Sequence, residues 1–234
     1  MVDYLFHVHT YRCKHAENIS EEIYIRKAIE YGYKEIYFAD HCPFPGNPFT
    51  NRMDYEGLAE YIDTLTSLNR TYNEINVHIG LETEYLPEYK DYYEELVSKV
   101  DFLLLGQHIF SFDGKYSFEL THEFRQDNEY LKSSKLITEA IATGLFAYVA
   151  HPDRIFRYCG KWNNHLSGIA SEIIETAMKY GVKLEQNYES RQHPGYFREE
   201  FWEMVHHDMV IQGVDAHSMS DIEGFHFENI HNDS

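Results

Sequence analysis

The sequence predicts an α/β barrel of parallel strands joined by crossover helices, on three observations. Short apolar runs alternate with helix-length amphipathic segments seven times along 234 residues. No glycine-rich phosphate loop follows any of these runs, which disfavours an open nucleotide-binding sheet. Polar residues follow many of the strands rather than one, as at the mouth of a closed or nearly closed barrel. Because the count is seven, the standard eight-unit barrel is not expected.

The predicted elements follow one another without an internal repeat or a flexible linker, so we expect a single domain over residues 1–234. The predicted strands are residues 4–6, 35–39, 77–81, 102–105, 147–150, 183–185 and 210–213. The first two helices begin after the possible caps Ser20 and Asp54 and end near Gly32 and Tyr72. Further helices are predicted over residues 88–100, 127–143, 165–180 and 196–208.

The composition excludes two classes of partner. Lys+Arg 20 against Asp+Glu 39 gives a net charge of −19, which would repel a nucleic-acid backbone and an anionic membrane surface. No run approaches the roughly 20 apolar residues that span a bilayer, and the first residues do not resemble a signal peptide. Cys13, Cys42 and Cys159 are too few and too scattered for a disulfide framework, so we expect a cytoplasmic protein.

Fifteen histidines are unusual in so acidic a chain, and many of them follow predicted strands. The strands are followed in order by His7 and His9, Asp40 and His41, Glu82 and Glu84, Gln107 and His108, His151 and Asp153, Glu185 to Asn187, and Asp215 and His217; His15 comes six residues after His9. The third strand is followed by two glutamates and the sixth by Glu185 to Asn187, and every other strand is followed by at least one histidine.

Neutral imidazoles and carboxylates are the usual protein ligands of zinc, manganese and iron. A His-x-His spacing at a strand end places both rings on one face, since side chains alternate with period two. The carboxyl ends of barrel strands meet at one mouth. A single histidine after a strand is more often a capping or hydrogen-bonding residue, but the combination favours a metal site with several ions.

These motifs resemble a known family. Residues 7–16, His-Val-His-Thr-Tyr-Arg-Cys-Lys-His-Ala, look like the opening motif of the polymerase-and-histidinol-phosphatase (PHP) superfamily. Later segments are similar to its histidinol-phosphatase branch: Tyr37-Phe-Ala-Asp-His, Arg52-Met-Asp-Tyr, Gly80-Leu-Glu-Thr-Glu-Tyr, Gly106-Gln-His, His151-Pro-Asp and Val214-Asp-Ala-His. The resemblance covers residues 3–217, nearly the whole chain.

The resemblance implies a distorted (β/α)7, TIM-like barrel with three divalent ions (Zn, Mn or Fe) at the carboxyl ends of the strands. In the family's pattern the first ion is bound by His7, His9, Glu82 and Asp215; the second by Glu82, His108 and His151; and the third by His15, His41 and His217. Glu82 is preferred to Glu84 as the bridging ligand because it matches the family's Gly-x-Glu pattern. A water that bridges the ions is the expected nucleophile, held by His7, His9, Glu82 and Asp215.

The expected activity is hydrolysis of a phosphate monoester, most specifically L-histidinol phosphate, in histidine biosynthesis. Arg154, Arg157 and Arg191 follow strands near the mouth and are candidates to bind the phosphate of a small substrate. Two alternatives stay open: a related phosphoesterase that acts on phosphotyrosine or a nucleotide, and a non-catalytic metal-binding domain. Only 17 residues follow His217, where relatives often carry a further helix or strand, so the contribution of the tail is open. The oligomeric state is also left open.

Overall fold

A computed structural model describes residues 2–112, 115–118 and 127–231 of the chain. The density of contacts divides the chain into two compact units. The first unit comprises Met1–Glu82, Glu95–Leu103 and Gln212–Ser234, and the second comprises Thr83–Glu94 and Leu104–Ile211. The single domain expected over residues 1–234 therefore stays a prediction.

Nine strands lie in the described residues, and seven of them form one sheet. The strands are β1 (Tyr4–Val8), β2 (Glu35–His41), β3 (Asn76–Thr83), β4 (Phe102–Leu105), β5 (Ile109–Phe112), β6 (Lys115–Phe118), β7 (Tyr148–Val149), β8 (Lys183–Asn187) and β9 (Val210–Gly213). The large sheet has the order β1-β2-β3-β4-β7-β8-β9, and β5 and β6 form a separate antiparallel pair.

The strand order agrees with the fold class expected from the sequence. The register is parallel between β1 and β2, β2 and β3, β4 and β7, and β7 and β8. In the first unit, the residues after β9 also bond to β1: Val8 forms a parallel bridge with Ala216, and Val214 N donates to Phe6 O at 2.9 Å. Hydrogen bonds on both sides of β1 and seven strands in sequential order confirm the predicted (β/α)7 class.

Eight α-helices are described: α1 (Glu21–Glu30), α2 (Leu58–Thr71), α3 (Lys90–Leu96), α4 (Asp127–Ala142), α5 (Asn164–Tyr180), α6 (Tyr188–Gln192), α7 (Glu199–Trp202) and α8 (Met219–His231). Short 3-10 turns occupy Tyr11–Cys13, Tyr55–Gly57, Pro87–Tyr89, Pro152–Phe156 and His207–Met209. Within the described ranges, no helix combines the length and the apolar character that crossing a membrane requires.

Each unit buries the apolar faces of its own elements. In the first unit, Leu5 of β1, Phe38 of β2 and Ile25 of α1 are fully buried. In the second unit, α4 packs against α5, and Leu184 of β8 and Ile173 of α5 are fully buried. Full burial of one such side chain contributes roughly 1.5–3 kcal/mol relative to exposure.

The helix predicted over residues 196–208 is wrong in length, because the structure has only α7 and a 3-10 turn there. Hydrogen bonds within the second unit delay its start: Arg198 N donates to Asp153 Oδ2 at 2.8 Å, and the Arg198 guanidinium donates to the carbonyls of Phe156, Arg157 and Cys159. Asp153, which is distant in sequence, therefore accepts the hydrogen bond of a backbone N–H group at the start of α7.

In the tail after His217, Met219–His231 form a helix, α8, which is not among the predicted helices. Ile222 and Phe225 of α8 are buried in the first unit. The Asn229 side chain exchanges two hydrogen bonds with the backbone of Val2, each 3.2 Å long. The tail is therefore packed onto the start of the chain.

Candidate metal centre

In the first unit, four of the predicted ligands converge through their side chains. His7 Nε2 lies 3.0 Å from His9 Nε2 and 3.5 Å from Glu82 Oε2. His9 Nε2 is 3.5 Å from the same Glu82 oxygen and 3.2 Å from Asp215 Oδ1. All four residues are buried. Two imidazoles and two carboxylates thus lie close together, away from water. Charged groups that are buried in this way need a partner of opposite charge.

The three other predicted histidine ligands of the first unit stack beside this group. The His9 ring lies 4.1 Å from the His217 ring and 4.5 Å from the His41 ring, between centroids. His15 is 4.6 Å from His217 and 5.2 Å from His41. His41 Nδ1 is 3.0 Å from Glu82 Oε2. The structure therefore brings together all seven ligands that the sequence predicts for this part of the chain.

At His7 and Asp215 the backbone departs from regular strand geometry. His7 has φ 70° and lies at a register shift between Phe6 and Val8, so it is a bulge residue of β1. Asp215 has φ 60° and follows the end of β9. The rings of His7 and His9 therefore come together through a bulge at His7 and not through the period-two alternation expected from the sequence. Left-handed backbone is costly for residues with a Cβ and clusters at functional sites.

The rings of His15 and His217 are oriented by backbone carbonyls. His15 Nδ1 is 2.8 Å from Cys13 O, and His217 Nδ1 is 3.0 Å from Asp215 O. A carbonyl only accepts, so each Nδ1 carries the hydrogen and the neutral ring presents its Nε2 lone pair. His217 Nε2 is buried and has no hydrogen-bond partner among the described residues. A cation fits this atom, because a buried polar atom needs a partner.

The protonation states of the cluster reflect burial and its carboxylates. Burial lowers the pKa of His217 well below its usual value, and the neighbouring His9 lowers it further. Burial also acts to lower the pKa of His9, but hydrogen bonds to Asp215 and Asp40 outweigh it and raise that pKa. The carboxylates around His9 therefore favour positive charge at this position, and a divalent cation bound to the neutral ring would supply that charge.

Asp40 has a supporting position that the sequence analysis did not assign. It is fully buried and accepts hydrogen bonds from Thr10 N, at 3.0 Å, and from the Thr10 hydroxyl. Its Oδ1 lies 3.7 Å from Nδ1 of His9, on the opposite side of the ring from the Nε2 that faces Glu82. A carboxylate behind a ligating histidine orients the ring. The Asp40-His41 pair at the end of β2 is the sequence pattern that indicates this position of Asp40.

The second unit contains the two other predicted histidines. The rings of His108 and His151 are 5.0 Å apart, and His108 Nδ1 is 3.4 Å from Glu84 Oε1. His151 has φ 34°, and its backbone N donates to Glu185 Oε2 at 3.2 Å. Glu84, which is ranked behind Glu82 as the bridging ligand, therefore lies beside His108.

The three predicted phosphate-binding arginines all lie in the second unit. Arg157 and Arg154 are buried near Tyr196, with Cζ 4.9 and 5.9 Å from the centre of its ring. Arg154 Nη2 also donates to Ser190 Oγ at 3.1 Å. Arg191 lines a cavity of about 530 Å³ together with Glu199, Glu200 and Glu203. The acidic lining makes the Arg191 cavity less suited to a phosphate than the surroundings of Arg157.

Comparisons with known proteins agree over most of the chain. A family model described as PHP domain matches residues 6–189. Histidinol-phosphatase of Bacillus subtilis (strain 168) is 22% identical over an alignment of 260 positions, which covers 95% of this chain and 96% of that protein.

Solved structures give the same result for the fold. A putative histidinol phosphatase from Listeria monocytogenes has a TM-score of 0.74 at 17% identity, over 94% of this chain and 97% of that one. Histidinol phosphate phosphatase from Lactococcus lactis subsp. lactis Il1403, complexed with Zn, L-histidinol and phosphate, has a TM-score of 0.69 at 18% identity, over 96% and 92%. With a family model that matches from β1 into α6 and with the motifs and fold in agreement, this chain belongs to the PHP domain family.

Proposed function

We propose that this chain is a metal-dependent phosphomonoesterase that hydrolyses L-histidinol phosphate to L-histidinol and phosphate, in histidine biosynthesis. The observation that carries the proposal is the buried group of histidine and carboxylate donors in the first unit. The choice of substrate is supported by similarity to a histidinol-phosphatase over 95% of this chain. A cytoplasmic location is part of the proposal and rests on the few, scattered cysteines.

The proposed site binds three divalent ions of zinc, manganese or iron, which are the metals that imidazole and carboxylate ligands accept. His7, His9, Glu82 and Asp215 are the proposed ligands of the first; Glu82, His108 and His151 of the second; His15, His41 and His217 of the third. The first and third sets are supported by the distances within the first unit. The sharing of Glu82 with His108 and His151 rests on the family's pattern of motifs.

Bound divalent ions supply Lewis-acid chemistry: they lower the pKa of a water toward neutrality and neutralise charge on the phosphoryl oxygens. Among the nine proposed ligands only Glu82 and Asp215 are carboxylates, and the other seven are imidazoles. A site with few anionic ligands keeps its positive charge in spite of a chain at −19. An anionic substrate is therefore compatible with an acidic protein.

Arg154 and Arg157 are the proposed phosphate-binding side chains, and Arg191 is the third candidate. A planar guanidinium binds two phosphate oxygens at once, which orients the ester. The Tyr196 ring beside Arg154 and Arg157 restricts both side chains. Restriction before binding lowers the entropic cost of ordering the arginines on the substrate.

A panel of phosphate esters tests the proposal. The purified full-length chain, loaded with Zn²⁺ or Mn²⁺, is assayed for phosphate release from L-histidinol phosphate, phosphotyrosine, a nucleoside monophosphate and a sugar phosphate. We expect kcat/KM for L-histidinol phosphate to exceed the others by at least about tenfold, which is about 1.4 kcal/mol of transition-state binding.

The outcomes of the panel separate the alternatives. A higher kcat/KM on phosphotyrosine or a nucleotide would refute the substrate and leave the phosphoesterase class in place. No phosphate release from any ester, with metal bound, would favour a non-catalytic metal-binding domain. An Asp215→Asn variant is the negative control, because it removes one of the two anionic ligands at the site with little change in side-chain volume.

A further inference from the structure

His217 is held at three points by residues of the first unit. Its backbone N donates to Asp221 Oδ2 at 2.9 Å, and its carbonyl accepts from Glu17 N at 2.7 Å. Its ring is fixed by the bond between Nδ1 and Asp215 O. Both backbone groups and the ring of this proposed ligand are therefore defined before a cation binds.

Asp221 is part of the start of helix α8. Ser218 N donates to Asp221 Oδ2 at 2.8 Å, and Asp221 N donates to Ser218 Oγ at 3.3 Å, which together form a capping box. A capping box needs no more than these two bonds. The same Asp221 oxygen also accepts a hydrogen bond from His217 N, one residue before the N-cap Ser218. Asp221 therefore links the start of α8 to the proposed ligand His217.

Glu17 binds the same turn from the other side. Its carboxylate Oε2 accepts from Met219 N at 2.9 Å, while its backbone N donates to His217 O. Three successive backbone N–H groups, of residues 217, 218 and 219, are thus paired with two carboxylates. The pairing satisfies donors that a helix N-terminus leaves without an intrahelical partner.

We propose that Asp221 and Glu17 are positioning residues for His217, through which α8 sets the affinity of the third metal ion. This inference rests on the metal-binding part of the proposed function, because His217 acts as a ligand only there. If His217 moves, its Nε2 no longer faces His15 and His41 in one geometry. Residues that orient metal ligands typically change metal affinity 10–100-fold when removed.

A purely structural role for Asp221 makes a different prediction. If Asp221 only caps α8, then loss of either half of the capping box lowers stability and leaves metal binding unchanged. Ser218→Ala removes the bond from Asp221 N to Ser218 Oγ and keeps the Asp221 carboxylate on His217 N. It is therefore a matched control for Asp221→Ala, in the same helix end and the same box.

The experiment counts zinc on the full-length protein. Wild type, Asp221→Ala, Asp221→Asn, Glu17→Ala and Ser218→Ala are equilibrated in buffers of fixed free Zn²⁺, and bound zinc per chain is measured by elemental analysis. We expect Asp221→Ala to weaken the weakest zinc site about 10–100-fold. Asp221→Asn, whose amide oxygen still accepts from N–H, should stay close to wild type, as should Ser218→Ala. Glu17→Ala keeps the bond from Glu17 N to His217 O and removes only the acceptor of Met219 N, so it should weaken the same site less than Asp221→Ala does.

Thermal unfolding of the zinc-free variants completes the test, because it measures how far each substitution lowers the stability of the protein without metal. Zinc affinities of Asp221→Ala and Glu17→Ala equal to wild type would overturn the inference, as would equal weakening by Ser218→Ala. If Asp221→Ala does not fold, Glu17→Ala decides, since Glu17 is exposed and outside α8. The expected zinc shift in a protein that does not hydrolyse L-histidinol phosphate would refute the substrate and support the inference. A wild type that binds none of zinc, manganese and iron would overturn both.

Discussion

Gly80 is the position where the structure most sharply predicts the effect of one added methyl group. It lies in β3, two residues before Glu82, and its carbonyl accepts from Tyr61 OH at 2.9 Å. A Cβ built on Gly80 would overlap three atoms of the Phe102 ring. Gly80 is not among the residues with positive φ, so the backbone itself would accept alanine. The sign of the effect therefore depends on whether Phe102 can move.

Phe102 has little room to move. Its ring centre is 6.0 Å from that of Phe6 and 5.7 Å from that of Tyr37, and only 8% of the residue is exposed. Forcing atoms into a packed core costs about 1–3 kcal/mol. For a chain of this size each kcal/mol lowers the melting temperature by about 2–4 °C. We therefore expect Gly80→Ala to lower the melting temperature by about 2–12 °C.

The assay is thermal unfolding followed by circular dichroism, with two further variants. Gly168→Ala is the matched control: Gly168 lies in the middle of α5 with nothing within 4 Å of its added Cβ, so it should gain about 0.5–1 kcal/mol. The double variant Gly80→Ala with Phe102→Leu should lose less stability than the sum of its single changes, because leucine vacates the overlapped space. A Gly80→Ala protein that melts at or above the wild-type temperature would refute the packing argument.

Three other predictions concern the site. His9→Ala should remove metal and phosphatase activity together while circular dichroism stays unchanged; full activity in this variant would contradict the site. Arg157→Ala should raise KM for the phosphate ester about 10–100-fold, as expected for loss of a charged hydrogen bond, while elemental analysis should find the bound metal unchanged. Arg191→Ala should raise KM less. A larger effect of Arg191→Ala would contradict the proposed position of the phosphate. The Cys13 thiol, whose pKa burial raises to about 12, should not react with a thiol reagent at neutral pH in the native protein; rapid labelling of Cys13 would show that this region opens.

The strands and the converging ligands were accessible from the sequence for a physical reason. Parallel strands buried on both faces read as short apolar runs, so all seven were predicted, with β4 and β9 at their observed bounds. Ligands at the carboxyl ends of such strands meet whatever their separation in sequence. His7 and Asp215 illustrate this, since more than two hundred residues separate them and their side chains lie 3.7 Å apart.

The β5–β6 hairpin and the start of α8 each have a local sequence pattern that indicates them. The sequence Asp113-Gly114 between Ile-Phe-Ser-Phe and Lys-Tyr-Ser-Phe is a strong hairpin pattern, and β5 and β6 flank it, although residues 113 and 114 themselves lie outside the described ranges. The Ser218-x-x-Asp221 spacing is likewise a capping-box pattern that announces α8.

The rest depends on tertiary contacts that no local pattern contains. The left-handed φ of His7 and Asp215 is imposed by pairing between β1 and the segment after β9. The late start of α7 follows from the bond between Arg198 and Asp153, 45 residues apart. Asp40 looks like an ordinary polar residue until the His9 ring is placed beside it.

Anomalous diffraction from crystals of the zinc-loaded chain, grown with phosphate and measured on both sides of the zinc absorption edge, tests the central claim most directly. We expect zinc peaks within bonding distance of His7, His9, Glu82 and Asp215, and a further peak at His15, His41 and His217. We also expect phosphate density next to these peaks. Zinc peaks only at exposed histidines such as His206 and His207, or none in the first unit, would contradict the claim that this cluster is a metal centre.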